Sequence, residues 1–188
     1  MDVELRTPRL LLRQPRLADA PRIARFLNNF RVTGNLARVP YPYTEADALA
    51  WLSTWRPDRT PGETGFSLDL PGEGVIGQCG FHLSEAGPAV GYWLAEPFWN
   101  RGFMTEALSA VVGWYFATTD ADTIASGVFA FNKASLKVQR KLGFTETGES
   151  RMHCLARKQE VRHIDTELTR ARWAETSGRA PEASRSVA

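Results

Sequence analysis

The chain has 188 residues, of which 43% are hydrophobic and 23% charged, a composition that favours one globular domain with a sizeable core. Its 23 Lys and Arg residues against 21 Asp and Glu give a formal net charge of +2, so no strong field predicts binding to nucleic acid or membrane. No apolar stretch is long enough to span a bilayer and the N-terminus lacks a signal-peptide core, so we expect a cytoplasmic protein. Cys79 and Cys154 are too few for a disulfide framework and lack zinc-site spacing, so we expect no metal.

The first half of the chain predicts strands and helices of a mixed α/β domain. The second predicted helix begins with Thr44 and Asp47 as capping residues. The expected elements are a strand over 3–13, helices over 18–29 and 44–55, and a hairpin of strands 66–70 and 75–83 across the turn 71–74.

The segment 99–107 joins a predicted strand, 90–94, to a predicted helix. Unpaired N–H groups and the helix dipole make such an N-terminus favourable for an anion. Gly102 permits close approach of a ligand to the backbone, and Thr105 adds a hydroxyl donor. These features favour a phosphate cradle, although an ordinary loop has the same local pattern. Because no Lys-Ser or Lys-Thr follows Gly102 and no G-x-G-x-x-G opens a helix, ATP-type and dinucleotide-type loops are disfavoured.

A second strand-to-helix unit follows at 123–143. Asn132 suits the N-cap of a helix that ends at Gly143. Its apolar positions predict a core face, whereas its basic positions, Arg140 among them, form either a solvated face or a contact for a nucleotide tail. Strands are predicted over 144–152 and 161–171. We expect one domain over 1–175 and a disordered tail over 176–188.

Both units resemble the GNAT superfamily of acyl-CoA-dependent N-acyltransferases, in particular its ribosomal-protein N-terminal acetyltransferase (RimJ/RimL-like) branch. The resemblance extends from about residue 4 to 173. It is carried by Gly-Tyr-Trp-Leu at 91–94, the Trp-led glycine loop at 99–107, Asn132, Ser135, Lys-Leu-Gly-Phe at 141–144 and the opening segment 6–13.

The resemblance implies an α/β (α+β) GNAT fold, with a mixed, mostly antiparallel sheet flanked by helices and splayed at the acyl-CoA site. It implies that acetyl-CoA is the cosubstrate, with the pantetheine arm at the Trp93 and Leu94 backbone and Asn132 and Ser135 flanking the thioester. The implied cofactor-binding residues are Trp93, Leu94, Trp99, Asn100, Arg101, Gly102, Phe103, Met104, Thr105, Asn132 and Arg140. The implied acceptor contacts are Asn35, Tyr41, Tyr43 and Trp93, although 30–43 is equally explained as a packed turn.

The chain departs from the family pattern at four positions. Asn100 stands where the branch often has Gly, and Met104 where it often has Ala. Gln139 stands where many members have Tyr, and Ala89 where many have an acidic residue. The last two departures remove the family's usual groups for proton transfer.

A site without a strong base favours an α-amine as acceptor. Deprotonating an α-amine of pKa near 8 costs about 1.4 kcal/mol at pH 7, against about 4.6 kcal/mol for a lysine-type amine. We therefore expect a neutral N-terminal amine to attack the thioester directly while amides near Leu94 stabilise the oxyanion. Ser135 is the candidate hydrogen-bond donor to the departing thiolate, unless its hydroxyl is satisfied by the helix backbone.

The sequence thus predicts an N-acetyltransferase acting on a protein or peptide N-terminus. Two alternatives stay open: acetylation of a small amine such as an aminoglycoside, polyamine or amino acid, and a non-catalytic acyl-CoA sensor. A homodimer through the C-terminal strands would suit the alternation of Ile164, Thr166 and Leu168, as would a central strand. The three histidines are expected to be structural or exposed.

Overall fold

A computed structural model describes residues 3–55, 59–84, 87–178 and 184–185 of the chain. Within these residues nine strands form one sheet. The strands are β1 (Leu5–Arg6), β2 (Leu11–Arg13), β3 (Gly65–Leu70), β4 (Gly74–Ser84), β5 (Gly87–Leu94), β6 (Thr123–Phe129), β7 (Thr145–Cys154), β8 (Gln159–Thr169) and β9 (Ser184–Arg185). Their spatial order is β7-β8-β6-β5-β4-β3-β2-β1-β9. Every neighbouring pair is antiparallel except β5 and β6, which are parallel.

Six helices accompany the sheet in the described part of the chain. They are α1 (Ala20–Leu27), α2 (Phe30–Thr33), α3 (Glu45–Leu52), α4 (Phe103–Thr118), α5 (Lys133–Leu142) and α6 (Arg170–Ser177). The predictions for α1, α3, α4 and α5 are confirmed. The Thr44 and Asp47 capping box is present at α3. Asn132 and Gly143 cap the two ends of α5, and Gly143 has the left-handed φ of 98° typical of a helix C-terminus.

The prediction of one continuous strand over 3–13 is wrong. The segment forms β1 and β2, which pair antiparallel around a turn. Pro8 lies in that turn and has no N–H to offer a sheet. Thr7 Oγ1 accepts from Leu10 N at 3.0 Å, and Thr7 N donates to Leu10 O at 3.0 Å, so the turn closes on itself.

The remaining strand predictions are confirmed apart from their ends. Strands β3 and β4 form the expected hairpin. Strand β8 ends at Thr169 instead of 171, because the Thr169 side chain accepts from Arg172 N and starts α6. The described residues of the expected tail are the end of α6, Gly178 and β9, and its other residues lie outside the described ranges. Strand β8 is paired on both sides, by β6 and β7.

The core lies on both faces of the sheet. Helix α4 packs on one face, where Trp114 meets Phe66 edge to face. Helices α1 and α3 pack together on the other face, and Arg22 Nε donates to Val75 O at 2.6 Å. Both cysteines are buried and free, and burial raises the pKa of the Cys79 thiol, as expected for a core residue. Among the described residues, no helix combines the length and the apolar character that crossing a membrane requires.

Candidate active site

The two parallel strands β5 and β6 diverge from each other. They pair at Ala89 and Ala125, and Ser126 Oγ bridges to Val90 O at 2.9 Å just beyond that point. From Gly91 to Leu94, β5 continues its pairing with β4 alone among the described strands. The sheet therefore has a V-shaped gap between the C-terminal halves of β5 and β6.

The Leu94 amide points into this gap. Ala95 N donates to Ile76 O at 2.9 Å, which makes Ala95 and Ile76 a hydrogen-bonded pair of the β4–β5 ladder. Hydrogen-bonded and non-hydrogen-bonded pairs alternate along an antiparallel ladder. The next pair, Leu94 and Gly77, therefore directs the Leu94 N–H away from β4, toward the side on which β6 has diverged.

Two tryptophans fix the end of β5. Trp99 Nε1 donates to Leu94 O at 2.7 Å, which leaves the Leu94 N–H as the group aimed at the gap. Trp93 Nε1 donates to Gln78 Oε1 at 3.0 Å, and the Trp93 ring contacts both main core clusters. These contacts hold the strand rigidly where its backbone borders the gap.

The glycine loop forms a strained entry to α4. Asn100 has φ 60° and Gly102 has φ 80°, so both residues adopt left-handed backbone. Asn tolerates this conformation better than most side chains, which explains how it replaces the branch's usual glycine. Gly102 caps α4 without any side-chain hydrogen bond, so the first-turn amides of Phe103, Met104 and Thr105 have no side-chain cap. The Phe103 and Met104 side chains are buried, and their backbones supply the donors.

Glu106 and Arg101 anchor this loop. The Glu106 carboxylate accepts from Thr7 Oγ1, Arg9 N and Arg9 Nε at 2.6–2.9 Å, so it ties the β1–β2 turn to the first turn of α4. Arg9 Nη1 also donates to Arg101 O at 2.8 Å. The Arg101 guanidinium lies over the Phe103 ring at 4.9 Å.

A hydroxyl pair lies on the α5 side of the gap. Ser135 Oγ and Tyr92 OH are 2.7 Å apart, so the Ser135 hydroxyl is engaged by a phenol from β5. Burial raises the pKa of Tyr92 to about 12, despite hydrogen bonds from Ser135 and Gln139. Sequence reasoning missed Tyr92, because the family's phenol is expected on α5, at Gln139. The signal was available in the Gly-Tyr-Trp-Leu alternation, which directs Tyr92 and Trp93 to opposite faces of β5.

Gln139 connects β6 and β8 beneath the Tyr92–Ser135 pair. Its Nε2 donates to Ser126 Oγ at 2.9 Å, and its Oε1 accepts from Thr166 Oγ1 at 2.9 Å. The side chain is 1% exposed, so its amide is satisfied inside the fold.

Two further predicted cofactor residues lie on α5. Asn132 Oδ1 accepts from Ser135 N at 3.1 Å and so fixes the first turn that carries Ser135. Arg140 is exposed at the far end of α5 and pairs with Glu146 on β7. The helix thus places Asn132 and Ser135 together near the gap, and Arg140 at a distance along its axis.

The predicted acceptor residues separate into two groups. Tyr41 is 40% exposed and packs edge to face on Phe30, while Asn35 Nδ2 donates to Arg31 O at 2.6 Å. Tyr43 is 7% exposed and packs in the core with α1 and α3, as the packed-turn interpretation expects. Burial, with a smaller contribution from Asp47, raises the pKa of Tyr43 to about 12.

An exposed aromatic surface connects this segment to the gap. The Arg157 guanidinium lies over Phe30 at 5.1 Å and over Phe131 at 4.4 Å. Phe131 directly precedes Asn132, and Arg157 Nε donates to Gly34 O at 2.7 Å. Sequence reasoning did not single out Phe131 or Arg157, because their proximity depends on the long-range docking of the β7–β8 turn on 30–43.

Comparison with known proteins decides the family. A family model described as "Acetyltransferase (GNAT) domain" matches residues 9–145, most of the chain. The chain belongs to the GNAT family.

Other GNAT proteins share its sequence and fold. Uncharacterized N-acetyltransferase p20 of Bacillus licheniformis is 27% identical over 149 residues, which are 77% of this chain and 83% of that protein. RimJ of Mycobacterium smegmatis, solved in complex with CoA-disulfide, superposes with TM-score 0.77 at 20% identity over 94% of this chain and 90% of that one. Ribosomal-protein-S5-alanine acetyltransferase of Vibrio fischeri superposes with TM-score 0.73 at 22% identity over 92% and 99%.

The expected GNAT fold is confirmed, and so is the reaction class, an acyl-CoA-dependent acetyltransferase. The described His, Cys, Asp and Glu side chains form no group of three or more that could hold a metal ion.

Proposed function

We propose that this GNAT protein transfers an acetyl group from acetyl-CoA to the α-amine of a protein or peptide N-terminus. The observation that carries the proposal is the gap itself: a backbone donor at Leu94 faces it from one strand, and a hydroxyl pair borders it from α5. This arrangement suits a thioester, which needs a donor for its oxygen and a partner for its sulfur.

The residues around the gap fit acetyl-CoA. First-turn amides of α4 and the Arg101 guanidinium supply donors for a pyrophosphate. The β5 backbone, left unpaired by β6 beyond Val90, offers N–H and C=O groups to a pantetheine amide. Acetyl-CoA supplies an activated acyl group when bound, and the chain's own residues orient it.

The Tyr92–Ser135 pair supplies one hydrogen-bond donor to the leaving sulfur: the Tyr92 hydroxyl donates to Ser135 Oγ, which leaves the Ser135 proton free for the sulfur. A thiol ordinarily titrates near 8.5, so full proton transfer from a phenol of pKa about 12 to a thiolate is uphill by about 5 kcal/mol. Ser135 therefore stabilises the departing thiolate without ionising the pair, and the thiolate takes its proton from solvent.

The choice of an α-amine as acceptor is supported by the cations near the gap and by the lower cost of deprotonating an α-amine. Arg38, which is close enough to His82 to lower its pKa, and Arg157, which lies over Phe30 and Phe131, place cations at the segment 30–43 implied for the acceptor and next to it. Cations there disfavour polyamines and aminoglycosides as acceptors. The Vibrio fischeri relative in fold is described as acting on a ribosomal-protein alanine, which is consistent with an α-amine here.

The test is free-thiol release from acetyl-CoA with two matched panels, peptides with free N-termini and small amines, with products identified by mass. The same peptides with blocked N-termini are the control. We expect turnover on free N-termini alone. Turnover confined to small amines would contradict the acceptor class, and tight acetyl-CoA binding without turnover on either panel would favour the sensor alternative.

A further inference from the structure

Two histidines flank the gap on the sheet face opposite α4 and α5. Successive side chains along a strand point to opposite faces of the sheet. Tyr92 and Ser126 project to the face of α5, so the neighbouring positions 91 and 127 belong to the opposite face. Both positions lack a side chain, and a histidine from the neighbouring strand occupies the space near each. A methyl group at Gly127 would overlap Cε1 of His163, and one at Gly91 would lie 4.0 Å from Cε1 of His82.

The His163 imidazole reaches from β8 across β6. Its Nε2 lies 2.7 Å from the position of a Cβ on Gly127, so the ring lies over the strand that borders the gap. The Phe129 ring packs against it edge to face at 6.0 Å. His163 therefore takes the place that a side chain at position 127 would have had.

Asp165 orients this imidazole. His163 Nδ1 and Asp165 Oδ1 are 2.8 Å apart, and Ser150 Oγ donates to the same oxygen at 2.9 Å. A carboxylate only accepts hydrogen bonds, so Nδ1 carries a proton, and in the neutral imidazole Nε2 then has the lone pair. The described groups that face the ring are Asp165 from β8, Ser150 from β7, and Phe129 and the Gly127 backbone from β6.

The surroundings of His82 disfavour its charged form. Burial and the nearby Arg38 both lower the pKa of His82, because each disfavours the imidazolium. His163 instead has a carboxylate at its far nitrogen, which stabilises the charge that arises when Nε2 accepts a proton.

We propose that His163, oriented by Asp165, is the proton acceptor for the attacking amine. The proposal rests on the proposed acetyl transfer. As the amine nitrogen forms its bond to the thioester carbon, it gives its surplus proton to His163 Nε2. The C–S bond then breaks, the thiolate is protonated by solvent, and His163 returns its proton to water.

His163→Gln tests the assignment. We expect kcat/KM to fall about a hundredfold, the lower range of general base catalysis, with the Kd for acetyl-CoA unchanged. Toward acidic pH, log kcat/KM of the unmodified protein should fall more steeply than that of the variant, because the variant lacks one of the two groups that must be free of a proton. His153→Gln is the matched control, since His153 is exposed on β7 beside Glu160.

A second pair of variants tests the geometry without removing the imidazole. A methyl group at Gly127 displaces the His163 ring and also lies 2.7 Å from Ile164 O, so the fold of Gly127→Ala is first checked by circular dichroism. The folded variant should reproduce the loss of rate and of slope, whereas Gly148→Ala, whose added methyl would lie 3.9 Å from Asp165, should not. Wild-type rate and slope in His163→Gln would overturn the assignment, as would the same loss in His82→Gln alone. The rates are measured on whichever amine the unmodified protein acetylates, so turnover on small amines would contradict the proposed acceptor while leaving this test intact.

Discussion

At the scale of single residues, the groups proposed to act at the gap come from separate elements: Tyr92 from β5, Ser135 from α5 and His163 from β8. Ser135 was identifiable from the sequence because the Asn-x-x-Ser pattern places it at the start of a helix. Its phenol partner Tyr92 was not, since their 2.7 Å contact requires β5 and α5 to meet. The same applies to His163, whose proposed role depends on the absence of a side chain at Gly127, a neighbour that only the sheet register reveals.

Replacing Ser135 by Ala, or Tyr92 by Phe, should slow the chemical step by about ten- to a hundredfold, because each removes a hydrogen bond near a developing charge. The two losses should be less than additive, since the hydroxyls bind each other. Single-turnover kinetics measure the step, and isothermal titration with acetyl-CoA should show nearly unchanged affinity. Ser177→Ala is the control, because Ser177 lies at the end of α6, where its hydroxyl donates to Ala174 O. An unchanged rate in Ser135→Ala would remove Ser135 from the mechanism.

At the scale of elements, the predictable parts of the fold are those whose signals are local. The caps Thr44, Asn132 and Gly143 mark helix ends through their own side chains or backbone, and all three are present. The strand break at Pro8 and the helix start at Thr169 were missed because each is fixed by a side-chain hydrogen bond, Thr7 with Leu10 N and Thr169 with Arg172 N. The gap between β5 and β6 was expected only from resemblance, since a local pattern does not show where two strands diverge.

Gly77 tests the close contact of β4 with the end of β5. A Cβ at Gly77 would lie 2.5 Å from Trp93 O and 3.1 Å from the Leu94 Cα. Gly77→Ala should therefore push the Leu94 amide out of place, weaken acetyl-CoA binding and lower the free energy of unfolding by about 1–3 kcal/mol. Chemical denaturation measures stability, with Gly91→Ala as the control because its methyl would have its nearest neighbour at 4.0 Å. Equal stability of both variants would contradict the packing argument.

At the scale of the whole molecule, a buried polar chain beneath Trp93 joins strands β4, β3 and β2 to the start of α1. It runs from Gln78 through Ser67 to Asp19, which binds Arg13 at 2.8 Å, and Arg13 also binds Asp69. Burial alone would raise the pKa of Asp19, but hydrogen bonds from Arg13 and the Arg16 backbone outweigh it and lower the pKa. Because the folded pKa lies below the unfolded one, the stabilisation is full above the unfolded value and is lost as pH falls through the folded value.

Asp19→Asn should lower the free energy of unfolding at pH 7 by about 3–5 kcal/mol, since it leaves the buried Arg13 with Asp69 as its remaining carboxylate. The variant should also lose less of its free energy of unfolding as the pH falls from 7 to 3, because the Asp19 carboxylate no longer takes up a proton. Urea titrations from pH 7 to pH 3 measure both effects. Glu149→Gln, which removes an exposed ion pair with Arg162, should change stability little, and an equal effect of the two variants would contradict the account.

The most direct test of the central claim is a competition within one substrate. A peptide with a free N-terminus and an internal lysine is incubated with the protein and acetyl-CoA, and the acetylated position is located by fragment mass. We expect acetylation at the α-amine, because at pH 7 the lysine amine costs about 3 kcal/mol more to deprotonate. Acetylation of the lysine, or of neither amine, would contradict this expectation.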